Sequence, residues 1–195
     1  MNHLAHFFLS GDDEDLILGN FIADFVNKRE AEALSPSLFR GVLLHRDIDM
    51  FTDSHATVRQ STRRLHPTLH KYAPVVVDIL YDYFLSKHWN HFAPPPLLNR
   101  TDFIDKTYQL LHRRAQALPQ PLQGYLPRMI ADDWLSRYAT FDGLEGAFVR
   151  IKRRVKFENQ LEQSVEQLKI HYHELEQDFL DFFPALMQHI TEKIY

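Results

Sequence analysis

Apolar residues recur along most of the chain at the three- and four-residue spacing of an amphipathic helix, and the strict alternation typical of a strand is rare. This pattern predicts a first helix that begins within the acidic residues 12–15 and runs to about residue 28, and further helices over residues 36–52, 55–67, 74–89, 101–118 and 127–138. It also predicts one long helix that starts at Asp142. Proline residues and the stiff tract 93–96 separate several of them. The pattern therefore predicts an all-α fold.

The last predicted helix carries a seam of apolar residues with alternating four- and three-residue steps. Its members are Leu161, Val165, Leu168, Tyr172, Leu175, Phe179 and Phe182. A seam of this kind is typical of a coiled coil. We expect a long C-terminal helix lying along the domain, and the alternative is a homodimer through this helix. Pro184 should end or kink the helix.

Length, charge and composition limit the class of protein. A chain of 195 residues suits a single compact domain over residues 1–195. A net charge of −4 argues against a globally basic nucleic-acid binder, and the absence of cysteine removes disulfides and zinc–thiolate sites. There is no signal-like N-terminus and no run near the ~18 apolar residues that span a membrane. We expect a soluble, cytoplasmic protein that binds neither nucleic acid nor membrane.

Two apolar segments, residues 41–55 and 74–89, each carry metal-binding side chains four residues apart. The first aligns His45 with Asp49, and the second aligns Asp78 with Asp82 on one helix face. A carboxylate among apolar residues is costly to bury unless its charge is compensated, and a bound cation is the simplest compensation. The alternatives are a solvated helix face for the acids and a hydrogen-bonded core histidine for His45.

Two further side chains extend this predicted site. Asp24 follows Asn20 by four residues on one face of the first predicted helix, although it could be a solvated surface acid, and His6 is an additional candidate ligand. Carboxylate and imidazole donors without thiolate favour Mn²⁺, Mg²⁺, Fe²⁺ or Zn²⁺, and several carboxylates favour the harder ions. Such an ion can polarise a phosphoryl oxygen and lower the pKa of a bound water. The residues therefore suggest phosphoester hydrolysis.

Basic side chains gather in one segment of an otherwise acidic protein. Residues 143–156 contain Arg150, Lys152, Arg153, Arg154 and Lys156 and a single acid. A basic patch on an acidic protein suggests an anionic partner, and the alternative is a solvated helix face. Arg46 could form a structural salt bridge with a nearby aspartate or bind a substrate phosphate.

Several blocks together resemble the bacterial acyl carrier protein phosphodiesterases, the holo-acyl carrier protein hydrolases. They are MNHLAHFFLS, GNFIADFV, GVLLHRDIDMFTDSH, VVVDILYDYFLSKHW, DDWLSRY and HYHELEQDFLDFFP, and they run from one end of the chain to the other. The resemblance implies an all-helical fold that diverges from the HD-domain metal phosphohydrolases. In place of the adjacent His-Asp pair of those enzymes, His45 is followed by Arg46.

The resemblance also implies a reaction that depends on Mn²⁺, with Mg²⁺ or Fe²⁺ as alternatives. Water cleaves the phosphodiester between 4′-phosphopantetheine and a serine of acyl carrier protein. As a hypothesis, Asp24, His45, Asp78 and Asp82 hold the metal, and Asp49 or His6 completes the site or moves protons. The expected contacts to the acidic carrier protein come from Arg46, Arg150, Arg153 and Arg154.

Two other functions fit the same residues. One is an HD-like, metal-dependent hydrolase of nucleotides or other small phosphoesters. The other is a helical adaptor without enzyme activity, which would use the C-terminal seam and the basic patch.

Overall fold

The computed structural model describes residues 1–97 and 99–194, and within these ranges the regular elements are helices and no strand occurs. This confirms the predicted all-α class. The chain forms two compact units, and each unit is made of segments that are separated in the sequence. The prediction of a single domain over residues 1–195 stays a prediction.

The first unit contains residues 3–49 and 88–136. Its α-helices are α1 (His3–Leu9), α2 (Glu14–Ile22), α3 (Lys28–Glu32), α4 (Pro36–Ser54, up to Asp49), α7 (Trp89–Phe92), α8 (Arg100–Arg113), α9 (Gln120–Ala131) and α10 (Trp134–Arg137, up to Ser136). Short 3₁₀ turns cover Ala23–Phe25, Pro95–Leu97 and Ala115–Ala117. Its core is built from buried aliphatic and aromatic side chains such as Leu4, Phe7, Leu18 and Leu111.

The second unit contains residues 1–2, 50–87 and the chain from Arg137 onward. Its α-helices are α5 (Ala56–Leu69), α6 (Ala73–Lys87), α11 (Phe141–Arg154), α12 (Ser164–Ile170) and α13 (Tyr172–Ile194), with 3₁₀ turns at His70–Tyr72 and Leu161–Gln163. Tyr81, Phe84 and Phe179 form an aromatic cluster in its core, with ring centroids 5.4 and 6.0 Å from that of Phe179. In the part of the chain that the structure describes, no helix is long and apolar enough to cross a membrane.

Local sequence signals set most helix starts. Asp13 accepts the backbone N–H groups of Asp15 and Leu16, both at 3.0 Å, and thereby caps α2. Ser35 accepts the N–H of Leu38 at 3.4 Å ahead of the α4 helix. The start after Ser35 agrees with the predicted 36–52 helix, and α2 begins within the acidic residues 12–15 that were expected to start it.

Several predicted helix bounds were wrong. The first predicted helix, expected to run to about residue 28, ends at Ile22 and passes into a 3₁₀ turn. The predicted 101–118 helix is capped by Asn99 and ends at Arg113. The predicted 127–138 helix starts much earlier, because Pro121 lies in the first turn of α9, where its missing N–H is not needed. Pro127 then lies inside the same helix.

The prediction of one long helix from Asp142 was also wrong. Thr140, not Asp142, caps α11 by accepting the N–H of Gly143 at 3.1 Å, and the chain leaves the helix after Arg154. In the segment that follows, the Asn159 side chain forms hydrogen bonds with neighbouring backbone groups. It accepts from the N–H of Leu161 and donates to the carbonyl of Phe157. Such local bonds compete with helix formation and separate α11 from the two helices that follow.

The predicted apolar seam lies in the core of the chain. Its residues Leu161, Val165, Leu168, Leu175, Phe179 and Phe182 are each at most 3% exposed. Because these side chains are already covered within one chain, the structure does not support a homodimer through this seam. Pro184 does not end α13, because the helix continues through this exposed proline to Ile194.

Helices α2 and α4 touch through two glycines. A Cβ atom on Gly19 would lie 2.1 Å from the carbonyl oxygen of Leu38, and one on Gly41 would lie 2.6 Å from that of Leu16 and 2.7 Å from the Cα of Gly19. Any side chain at either position would therefore meet rigid backbone. This close contact sets the position of α2 against α4.

Gly41→Ala should lower the free energy of unfolding by about 1–3 kcal/mol, because the new methyl group overpacks a backbone contact. Chemical denaturation measures the change. The matched control is Gly124→Ala in α9, where a Cβ would meet nothing within 4 Å. That variant should be neutral or more stable by about 0.5–1 kcal/mol. Equal stability of the two variants would contradict the close contact.

Candidate metal centre

Two histidines and two aspartates of the first unit gather around one asparagine. His6 lies on α1, Asn20 on α2 and Asp24 in the 3₁₀ turn that follows α2, while His45 and Asp49 lie one turn apart on α4. The imidazoles of His6 and His45 stack with ring centroids 4.3 Å apart. Segments distant in sequence therefore form one polar cluster.

One oxygen of Asn20 contacts both imidazoles. Its Oδ1 atom lies 2.8 Å from Nδ1 of His6 and 2.9 Å from Nδ1 of His45. Asn20 is 1% exposed, so this cluster has a dry floor. Buried polar groups require partners, and here the three side chains satisfy one another.

The carboxylate of Asp49 lies against the other nitrogen of each ring. Its Oδ1 is 3.2 Å from Nε2 of His6, and its Oδ2 is 3.1 Å from Nε2 of His45. The Oδ1 atom of Asp24 is also 3.1 Å from that His45 nitrogen. The side chains of Asp49 and Asp24 are 41% and 62% exposed, so the acids line the solvent side of the cluster.

The acids and imidazoles strongly shift one another's protonation. Burial disfavours the charged form of His45, but hydrogen bonds with Asp24 and Asp49 outweigh it and raise the pKa of His45 to about 9. Burial also opposes ionisation of Asp49, yet hydrogen bonds with His45 and His6 hold the pKa of Asp49 far below its ordinary value. The hydrogen bond with His45 lowers the pKa of Asp24, and burial lowers that of His6. The acids are therefore ionised at neutral pH.

Among the described residues, the group that could hold a metal ion is His6, His45 and Asp49. One ligand atom from each lies within 4.8 Å of the others. Two imidazole nitrogens and a carboxylate suit a first-row divalent cation. Asp24 borders this group through its contact with His45.

The other predicted ligands, Asp78 and Asp82, lie on α6 in the second unit. The α-amino group of Met1 is 3.0 Å from Asp78 Oδ1, so this acid has a cationic partner within its own unit. Asp82 is fully buried. Burial raises the pKa of Tyr138, and the negative charge of Asp82 adds to that rise. Metal binding by these two acids stays a prediction.

The predicted anion-binding arginines differ in their surroundings. Arg46 is exposed on α4, and the Asp49 oxygens with which it could pair contact histidines instead. Arg150 donates a hydrogen bond to the Tyr138 hydroxyl, whereas Arg153 and Arg154 are exposed at the end of α11. The latter two have the accessibility that a docking surface needs.

The sequence-based prediction assigned no role to Asn20 beyond its spacing from Asp24. The available signal was a buried-type amide inside the apolar run LILGNFI. Its contacts with His6 and His45 span 14 and 25 residues of sequence and cannot be read from local spacing.

His3 provides a pH test of this unit. It is packed against Phe7 and Phe21, and its Nε2 lies 3.0 Å from the Tyr125 hydroxyl. Burial lowers the pKa of His3 from 6.5 to about 4, so below pH 6.5 the unfolded chain binds a proton that the folded chain does not. Stability should therefore fall as pH drops from 6.5 towards 4, by on the order of 3 kcal/mol from this residue.

Replacing His3 by phenylalanine keeps the aromatic packing and removes the titration. Urea denaturation at several pH values should show a shallower loss of stability for His3→Phe than for the wild type between pH 6.5 and 4. Parallel pH profiles for the two proteins would rule out this role of His3.

Comparison with known proteins identifies the family. The family model described as acyl carrier protein phosphodiesterase matches residues 1–186. Relatives named acyl carrier protein phosphodiesterase occur in Serratia proteamaculans (28% identity), Yersinia enterocolitica (31%) and Escherichia coli O45:K1 (30%), and each alignment covers 99% of both chains. No solved structure matches the chain significantly, so the predicted relation to HD-domain enzymes stays a prediction. The chain belongs to the acyl carrier protein phosphodiesterase family.

Proposed function

We propose that the protein hydrolyses the phosphodiester that links 4′-phosphopantetheine to a serine of holo-acyl carrier protein. The products are apo-acyl carrier protein and 4′-phosphopantetheine. Family membership supports the substrate class. The observation that carries the chemistry is the convergence of two imidazole Nε2 atoms on the two oxygens of Asp49.

This convergence fits a divalent cation. Both Nδ1 atoms face the Asn20 oxygen, which can only accept, so both carry hydrogen. An imidazole that keeps its Nδ1 hydrogen and loses the proton on Nε2 turns the Nε2 lone pair towards Asp49. A cation bound between these atoms would replace the proton as the charge that compensates the carboxylate. We propose that His6, His45 and Asp49 hold Mn²⁺, the ion that the family resemblance implies, with Mg²⁺ or Fe²⁺ as alternatives.

When bound, such an ion would supply a Lewis acid for the phosphoryl oxygens and lower the pKa of water. The protein's own groups then divide the remaining tasks. The buried imidazoles hold Asp49 in place from the dry side of the cluster. Asp24, at its open side, is placed to accept a proton from a water molecule that approaches from solvent.

The end of α11 offers a surface for an acidic protein substrate. Arg153, Arg154 and Lys156 are exposed there, and the adjacent Phe157 is 70% exposed. The Nζ atom of Lys71 lies 4.5 Å from the centre of the Phe157 ring. Positive charge around an exposed aromatic ring favours an anionic protein partner. We propose that acyl carrier protein docks here and that the enzyme acts in the cytoplasm.

Asp49→Asn should abolish metal uptake and lower kcat for holo-acyl carrier protein by more than about 100-fold, which exceeds the usual effect of losing a partner outside the metal shell. Mass spectrometry follows the loss of phosphopantetheine, and elemental analysis measures the bound metal. The matched control is Asp105→Asn, an exposed acid on α8 of the same unit, which should behave as the wild type. Full activity of Asp49→Asn would contradict the proposed centre.

Arg153→Glu should raise KM for holo-acyl carrier protein by roughly threefold to tenfold at low salt and leave kcat nearly unchanged, because it alters only docking. Arg153→Lys keeps the charge and serves as the control. Hydrolysis of a small aryl phosphodiester should not change in either variant. An unchanged KM for holo-acyl carrier protein in Arg153→Glu would show that this surface is not the docking site.

A further inference from the structure

We propose that Asn20 is a positioning residue that fixes the protonated nitrogen of both His6 and His45, so that both Nε2 atoms are available to the same cation. Its part in metal binding rests on the proposed function above. Its part in placing the protons does not, because it follows from hydrogen-bond geometry in the metal-free protein.

The orientation of the Asn20 amide follows from its nitrogen. The Nδ2 atom donates to the backbone carbonyl of His6 at 3.1 Å and to the hydroxyl oxygen of Ser10 at 3.0 Å. A carbonyl oxygen can only accept, so an amide flipped by 180° would place two acceptors against each other. Ser10 donates its own hydrogen to the same His6 carbonyl at 2.8 Å and keeps its lone pairs for the amide.

Once the amide orientation is fixed, its oxygen determines which hydrogen bonds the Nδ1 atoms of the two imidazole rings can make. An amide oxygen has two lone pairs, and at Asn20 they accept from Nδ1 of His6 at 2.8 Å and from Nδ1 of His45 at 2.9 Å. A bare Nδ1 in either ring would turn a lone pair towards this oxygen, so the two hydrogen bonds favour a hydrogen on both Nδ1 atoms. A single side chain thus holds the Nδ1 hydrogen of two rings, whether or not Nε2 also carries one.

The surrounding fold keeps this oxygen in place. Asn20 is 1% exposed, and Gly19 immediately before it packs against the backbone of Gly41. Its bonds reach residues on α1 and α4, so it joins three helices at one point. A group that orients a ligating histidine through the nitrogen opposite the metal typically affects metal affinity by 10- to 100-fold.

The first test needs no variant. Nitrogen-15 NMR of histidine side chains in the wild-type protein should show a proton on Nδ1 of both His6 and His45, in the metal-free protein and after addition of Zn²⁺ as a diamagnetic probe. A bare Nδ1 at either residue in the metal-free protein would overturn the proposal. If the proton positions are as expected but no Zn²⁺ binds, the role of Asn20 stands and the proposed metal centre fails.

The second test uses three variants and calorimetric titration with Zn²⁺ and Mn²⁺. Asn20→Leu keeps the approximate shape and removes the acceptor, so the dissociation constant should rise by roughly 10- to 100-fold and the Nδ1 protons should no longer be fixed. Asn20→Asp keeps an acceptor oxygen for the two Nδ1 atoms, but its second oxygen would face the His6 carbonyl in place of the amide donor, so it should recover part of the affinity lost in Asn20→Leu. The control is Thr107→Val, which removes a buried side-chain hydrogen bond to the Phe103 carbonyl on α8 of the same unit and should bind metal as the wild type does.

The metal affinities of the variants, taken together, test whether the Asn20 oxygen orients the two imidazoles. Weak binding by Asn20→Leu with recovery in Asn20→Asp supports a role of the oxygen, which loss of packing alone could not produce. Wild-type affinity and unchanged proton positions in a folded Asn20→Leu protein would overturn the proposal. If Asn20→Leu does not fold, the wild-type proton positions and the Asn20→Asp titration still decide it.

Discussion

The close contact between α2 and α4 is the constraint on which the cluster depends. Gly19 and Gly41 let the two backbones approach until a Cβ on either would overlap the other helix. Asn20 follows the first glycine directly, and His45 lies one turn after the second. The 2.9 Å contact between their side chains is therefore a consequence of two missing Cβ atoms.

The charges of the cluster are divided between its buried and its exposed side. The floor of the cluster is buried and holds two imidazoles, whereas its rim is open and holds two ionised acids. In the metal-free protein a proton on His45 compensates the acids, which agrees with its raised pKa of about 9. A divalent cation that displaced this proton would compensate the same acids. The hydrogen bonds of Asn20 thus orient the Nε2 atoms of both imidazoles towards the carboxylate of Asp49.

Local patterns predicted some of this arrangement from the sequence. Helical spacing puts His45 and Asp49 on one face, and the structure gives them a common contact. The same spacing in Asp78 and Asp82 says nothing about their partners, and Asp78 contacts the α-amino group of Met1. Spacing within a helix thus predicts which side chains share a face, but not what meets that face.

The remaining features depend on contacts between distant segments. The glycine contact joins residues 22 positions apart, and no local signal marks either glycine as a contact point. The break after α11 depends on side-chain bonds of Asn159, which compete with a helix that the apolar seam favours. The seam nevertheless located the residues that form the core of the second unit.

A crystal structure of the protein loaded with Mn²⁺, with the ion located by its anomalous scattering, tests the proposed metal centre most directly. We expect a peak in contact with Nε2 of His6, Nε2 of His45 and the carboxylate of Asp49. An active, loaded enzyme with no peak at these three residues, or with its ion bound at Asp78 and Asp82 instead, would contradict it.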